Sequence, residues 1–196
     1  LTSGTWRVTE LLMVDERAQE IYFTARQENS TRNDLYRVGL KGTEEPQRLT
    51  FGNYDHQISL APDGKHFITT YSNLTTPPKS ALMDTKGNVI RELADAKGLA
   101  YDSFKMPKTE LSYYQTRDGL ELPMTVILPL NFDPAKKYPL IVYIYERLSE
   151  GVNGFVDPRP GHNFNFSQYA SDGYVVLTPD IVYTAGYGFP RYRGGP

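Results

Sequence analysis

The chain has 196 residues, a formal net charge of −2, and 39% hydrophobic against 22% charged residues. That length holds one large domain or two modest ones at about 100–200 residues each, and the near-neutral charge gives no electrostatic basis for binding nucleic acid or an anionic membrane. No apolar run reaches the about 18 residues that a spanning helix needs; the absence of cysteine excludes a disulfide framework, a thiolate nucleophile and a thiolate metal site.

The opening Leu1-Thr2-Ser3-Gly4 has neither the basic start nor the apolar stretch of a secretion signal. Fifteen tyrosines favour strands and amphipathic crevices. After the polar turn Asp15-Glu16-Arg17, strands are predicted at Ile21–Ala25, Asp34–Leu40 and Gln47–Thr50. Ile58–Leu60 and His66–Tyr71 follow, joined by Ala61-Pro62-Asp63-Gly64-Lys65. In that turn Pro62 presets φ and Gly64 admits positive φ. Ser80–Asp84 and Val89–Leu93 meet across Thr85-Lys86-Gly87-Asn88. Short strands at this spacing indicate a sandwich, a barrel or a propeller, and the Leu-Tyr-Arg-Val strand followed by a glycine turn resembles a propeller blade. A propeller has about four to eight blades, and about two fit in this stretch.

Ala94–Ala100 reads as a turn of helix within an interdomain linker that ends at Met106-Pro107. Two strands, Glu110–Thr116 and Leu120–Leu128, then flank Arg117-Asp118-Gly119, a hairpin signal. Tyr138–Tyr145 is almost continuously apolar and reads as a strand buried on both faces, with Gly173–Asp180 as a second such strand. Phe164–Ser171 between them is predicted as a short helix capped by Gly173. Strand, crossover helix and strand indicate the start of a parallel α/β sheet. The expected fold class is therefore mixed, with the change of regime near residue 105.

Three runs carry a resemblance: Trp6-Arg7-Val8, Asp34-Leu35-Tyr36-Arg37-Val38, and Tyr71 through Pro78. They resemble the last propeller blades of dipeptidyl peptidase IV-like enzymes. Asn131-Phe132-Asp133-Pro134-Ala135-Lys136-Lys137-Tyr138-Pro139-Leu140 is similar to the approach to their hydrolase domain. The family is the prolyl oligopeptidase family, whose members set a β-propeller over a Ser-Asp-His hydrolase and cleave short peptides, often after proline. The resemblance implies residues 1–104 as the last propeller blades and linker, and 105–196 as the start of an α/β-hydrolase domain. It implies a peptide substrate, no cofactor, a whole protein in the periplasm or outside the cell, and room for a homodimer. It also implies that Tyr145 donates its hydroxyl to the oxyanion hole. By residue pattern alone Tyr143 has the same local claim, and a strand-end tyrosine packing its ring against a neighbour is the plainer reading. Glu146-Arg147-Leu148-Ser149-Glu150 and Asp180-Ile181-Val182-Tyr183 depart from the family's usual loops and mark a divergent branch.

A hydrolase of this fold needs a Gly-x-Ser-x-Gly elbow. Ser149 is preceded by Arg147 and Ser171 by Tyr169 at the required glycine position, and no other serine fits. The chain is therefore expected to stop short of the nucleophile and to be inactive alone. His56, His66 and His162 lack metal-ligand spacing. Gly186, Gly188, Gly194 and Gly195 do not form a phosphate loop. Glu44-Glu45 reads as a solvated charge run in a turn. Asn73-Leu74-Thr75 is a formal glycosylation triplet that Pro77-Pro78 places in a turn or loop. The competing reading is a non-enzymatic β-rich module that binds a peptide or protein through tyrosine-rich loops.

Overall fold

The computed structural model describes residues 2–4, 6–99, 101–144, 153–156 and 165–180. Three four-stranded sheets carry the described chain. The first is an antiparallel meander of β1 (Arg7–Asp15), β2 (Glu20–Arg26), β3 (Asp34–Gly39) and β4 (Gln47–Arg48), in spatial order β1-β2-β3-β4. Its first turn is closed by the Asp15 carboxylate, which accepts from the Arg17 and Ala18 N–H groups at 3.0 and 2.9 Å.

β1 has no period-two alternation, and its register explains why. Two shifts against β2 set Val8 opposite Ala25, Leu11 opposite Phe23 and Val14 opposite Ile21. Residues opposed across a ladder share a face of the sheet. Each bulge adds one residue to β1, so three apolar side chains spaced by three reach the same face. They remain exposed by 45, 61 and 47%. On that face Ile21, Phe23, Ala25, Tyr36 and Val38 form a cluster packed by Trp6 and Leu40, and the Trp6, Phe23 and Tyr36 rings stack at centroid distances of 6.2 and 5.7 Å.

The second sheet is another antiparallel meander: β5 (Asp55–Leu60), β6 (His66–Asn73), β7 (Thr76–Asp84) and β8 (Val89–Asp95). The Pro62-Asp63-Gly64 turn forms as expected, with Gly64 at φ 64° and its N–H on the Ala61 carbonyl at 3.0 Å. The two sheets share one core. Tyr22, Leu35 and Leu49 of the first pack against Phe67 and Met83 of the second, bordered by Leu12, Met13, Phe51, Ile58 and Leu60.

One expectation holds in this sheet and one fails. Asn73-Leu74-Thr75 lies at a turn, although Pro77-Pro78 after it belongs to β7. The turn is Asn73 to Thr76, and a register shift between Tyr71 and Asn73 leaves both prolines out of the β6 ladder, where a missing N–H costs nothing. Ala94 and Asp95 belong to β8, not to a helical turn. They pair with Ser80 and Lys79, and the Lys79–Asp95 ion pair at 3.0 Å adds to that register. An open strand edge on β7 thus outweighs the helix propensity of Ala94. A single 3-10 turn follows at Tyr101–Ser103.

The third sheet is mixed. A hairpin of β9 (Lys108–Gln115) and β10 (Glu121–Leu128) turns at Gly119, φ 82°. β11 (Leu140–Val142) leads through α1 (Phe166–Ser171) to β12 (Val175–Pro179), in spatial order β11-β12-β10-β9. β12 runs antiparallel to β10 and parallel to β11. α1 is capped by Asn165, whose side chain accepts from the Gln168 N–H at 3.0 Å, and is followed by Gly173 at φ 96°. Ile127, Ala170 and Val176 are fully buried at its centre. The expectation of a strand buried on both faces fails for β11. Leu140, Val142 and Ile144 are 55, 50 and 57% exposed, while Ile141 packs on the α1 side. As the edge of the described sheet, β11 has a helix against one face only.

Asp34 opens β3 with no exposed surface. It accepts from Arg48 at 2.8 Å and from the Thr50 hydroxyl at 2.7 Å, with Arg32 3.5 Å away. Removing one partner of a buried pair strands the other. Asp34→Ala is therefore expected to lower stability by about 3 kcal/mol, the low end of the buried-pair range because Arg48 keeps some solvent contact. Urea denaturation checks this, and a change under about 1 kcal/mol contradicts it.

Candidate functional site

In sheets with parallel strands, ligands bind at the carboxyl ends of those strands. Here the ends belong to β11 and β12. β11 pairs with β12 from Leu140↔Val175 to Val142↔Leu177, and the Tyr143 N–H extends the ladder onto the Leu177 carbonyl at 2.8 Å. The Tyr143 ring lies 5.0 Å from Phe166 of α1 at 58°. Of the two tyrosines with a local claim to an oxyanion role, Tyr143 thus packs its ring on the helix. Tyr145 lies outside the described residues, as do Ser149, His162 and the four glycines near the end of the chain.

The end of β12 is tied down from two sides. The Asp180 N–H donates to the Pro123 carbonyl at 2.9 Å, and the Tyr114 hydroxyl donates to the Asp180 carbonyl. Asp180 itself is fully buried. Sequence reasoning missed Tyr114. Tyr113 beside it, 44% exposed, looks the same in the linear pattern, and only the pairing of Tyr114 with Leu122 on β10 places it toward β12.

The other singled-out residues have structural employment. The Ser171 hydroxyl donates to the Ser167 carbonyl at 2.9 Å, inside α1. Glu44 and Glu45 are exposed and border a groove of about 320 Å3 with Lys41 and Gln19. His66 sits 3.3 Å from Asp63 at its turn. His56 is buried between Thr69 and the Phe51 carbonyl, at 2.8 and 2.9 Å. The Asn73 side chain accepts from the Thr75 and Thr76 N–H groups at 3.0 and 2.8 Å and so closes its own turn. Among the described residues, no three His, Asp or Glu side chains converge to hold a metal, and no helix is long and apolar enough to cross a membrane.

Comparison with known proteins adds to this geometry. The family model for the dipeptidyl peptidase IV (DPP IV) N-terminal region matches residues 1–78, from the chain's start to the opening of β7. A probable dipeptidyl-aminopeptidase B of Aspergillus oryzae is 32% identical over 207 residues, covering 98% of this chain and 22% of the relative. Its counterpart in Aspergillus niger is 30% identical over 189 residues, covering 92% and 20%. The crystal structure of Porphyromonas gingivalis dipeptidyl peptidase 4 superposes with a TM-score of 0.81 at 25% identity, over 97% of this chain and 26% of that one. The chain spans about a fifth of the length of the curated relatives it matches. Its β-rich architecture, with little helix, resembles that dipeptidyl peptidase structure over nearly its whole length. By these matches the chain belongs to the dipeptidyl peptidase IV-like branch of the prolyl oligopeptidase family.

Proposed function

We propose that the whole protein is a serine-type peptidase that hydrolyses short peptides and releases dipeptides from their amino ends after proline. The observation that carries this reading is a match preserved in order across 92–98% of the chain to proteins named as dipeptidyl-aminopeptidases. Within that protein, residues 1–104 supply propeller blades and a linker, and residues 105–196 begin an α/β-hydrolase domain. The two meanders before residue 96 and the mixed sheet after residue 107, with α1 between its parallel strands, support that division. The substrate is a peptide, and the family resemblance supports a location in the periplasm or outside the cell.

Tyr145, three positions beyond Val142 in the sequence, is the residue of this chain that takes part in the chemistry. As the nucleophile adds to the scissile carbonyl, negative charge builds on its oxygen. A phenol held at the carboxyl end of a parallel strand donates a hydrogen bond to that charge, which is weaker in the ground state than in the transition state. The tethering of Asp180 by Pro123 and Tyr114 fixes the end of β12, the strand that pairs in parallel with β11. The nucleophile comes from elsewhere in the protein, because no serine here stands in an elbow sequence, and in the family's usual chain order the acid and base follow the nucleophile.

Two measurements test this reading. The 196-residue chain is expected to show no labelling by a fluorophosphonate probe and no release of chromophore from a Gly-Pro substrate; covalent labelling of any of its serines contradicts the assignment. In the whole protein, Tyr145→Phe is expected to lower kcat by about a hundred- to a thousand-fold with KM little changed. An unchanged kcat removes Tyr145 from the mechanism and leaves Tyr143→Phe as the control for a packing effect.

A further inference from the structure

His56 lies on β5 with no exposed surface, at the seam where the second sheet meets the first. Its Nε2 is 2.9 Å from the Phe51 carbonyl oxygen, which only accepts, so Nε2 carries the proton. Its Nδ1 is 2.8 Å from the Thr69 Oγ1 and therefore accepts from that hydroxyl. The neutral ring is satisfied at both ends. Phe51, Tyr54 and Tyr71 surround it with ring centroids at 5.5, 6.3 and 5.7 Å.

The backbone of the same residue is what joins the sheets. The His56 N–H donates to the Asn33 carbonyl at 2.9 Å. The Asn33 side chain returns a bond to the His56 carbonyl at 3.3 Å, and the Asn33 N–H donates to Asp55 at 2.7 Å. Asn33 immediately precedes β3, so these bonds link the start of β3 to the start of β5.

The charged groups that face His56 come from several elements. Burial is the largest influence and holds the imidazole below its usual range. The Phe51 carbonyl and the Asp34 carboxylate act in the opposite direction, while Arg48 and Arg32 reinforce burial. Asp34 is itself occupied by those two arginines. Tyr71 stays neutral, its hydroxyl pushed up to about 12 by burial and by Glu92 on β8.

We propose that His56 is an acid-sensitive joint between the two sheets, which opens when Nδ1 takes a proton from solvent. The added N–H faces a hydroxyl that was donating to the same nitrogen, and the new charge is enclosed by three aromatic rings. The Tyr71 face offsets part of that charge, but opening of the seam rehydrates all of it. The sign follows from linkage. A base held below its free value contributes stability that is complete above the free value of 6.5 and is lost as pH falls. Each unit below that value favours the open form by about ten-fold until the closed form also titrates. The population of the open seam is therefore expected to rise up to about 30-fold between about pH 7.5 and about pH 5.

The test is amide hydrogen exchange of the full chain at Asn33 and His56, whose N–H groups bond across the seam, corrected for the intrinsic effect of pH. The wild type is expected to show the rise at these amides, and His56→Gln is expected to show less than about three-fold, since its amide can serve Phe51 and Thr69 without titrating. An equal rise in the variant, or no rise in the wild type, overturns the proposal. Should the variant not fold, imidazole NMR of the wild type decides. His56 titrating together with seam opening supports the joint, and His56 titrating while the amides stay protected overturns it.

Discussion

Tyr22, Leu35, Leu49, Phe67 and Met83 form one apolar contact between two sheets, and each is almost wholly withdrawn from solvent. Fully burying a side chain of this kind is favourable by about 1.5–3 kcal/mol, whereas each net backbone hydrogen bond across the seam adds only about 0.5–1.5 kcal/mol. The apolar contact therefore supplies the affinity between the sheets. The Asn33–His56 and Asn33–Asp55 bonds set how the sheets are aligned. β2 depends on this arrangement most directly. Five consecutive residues, Ile21 to Ala25, are buried, which a strand achieves only with both faces covered.

Two polar groups are accommodated inside this region by different means. Asp34 remains paired with Arg48 and Thr50, and its second arginine stands slightly further away. His56 is accommodated as a neutral ring with one donor and one acceptor on opposite sides. Buried polar groups of either kind need partners; Asp34 finds its hydrogen bonds through Oδ1, with Arg32 as the ion-pair neighbour of Oδ2. The first group ties β3 to the segment around β4; the second ties the segment before β5 to β6. Together they fix how the hydrophobic contact can close.

Much of this was legible in the sequence, and the exceptions have physical causes. Asp34-Leu35-Tyr36-Arg37-Val38 was rich enough in strand-favouring residues to be read as a strand and became β3; Pro62-Asp63-Gly64 and Arg117-Asp118-Gly119 turned where their backbone preferences required. β1 escaped notice as a strand because two bulges change its apolar spacing from two to three. Ala94 and Asp95 were drawn into β8 by a ladder that no local window contains. β11 was read as doubly buried because its composition reports apolar residues but not how many layers cover them. At the candidate site, Tyr145 was singled out through family resemblance. The tie from Tyr114 to Asp180 spans 66 positions, and neither residue carries a local mark of it.

The two meanders form one cooperative body through their shared core. Trp6, the only tryptophan, stacks on Phe23 in the first sheet, while Phe67 belongs to β6 of the second. The most direct measurement is urea unfolding of Phe67→Ala, followed by Trp6 fluorescence and by far-ultraviolet circular dichroism. Truncating a buried phenylalanine costs about 3–5 kcal/mol, and a cooperative pair of sheets requires both signals to shift together by that amount. A Trp6 transition that stays at its wild-type midpoint while the dichroism shifts would show that the sheets unfold independently and would contradict the account.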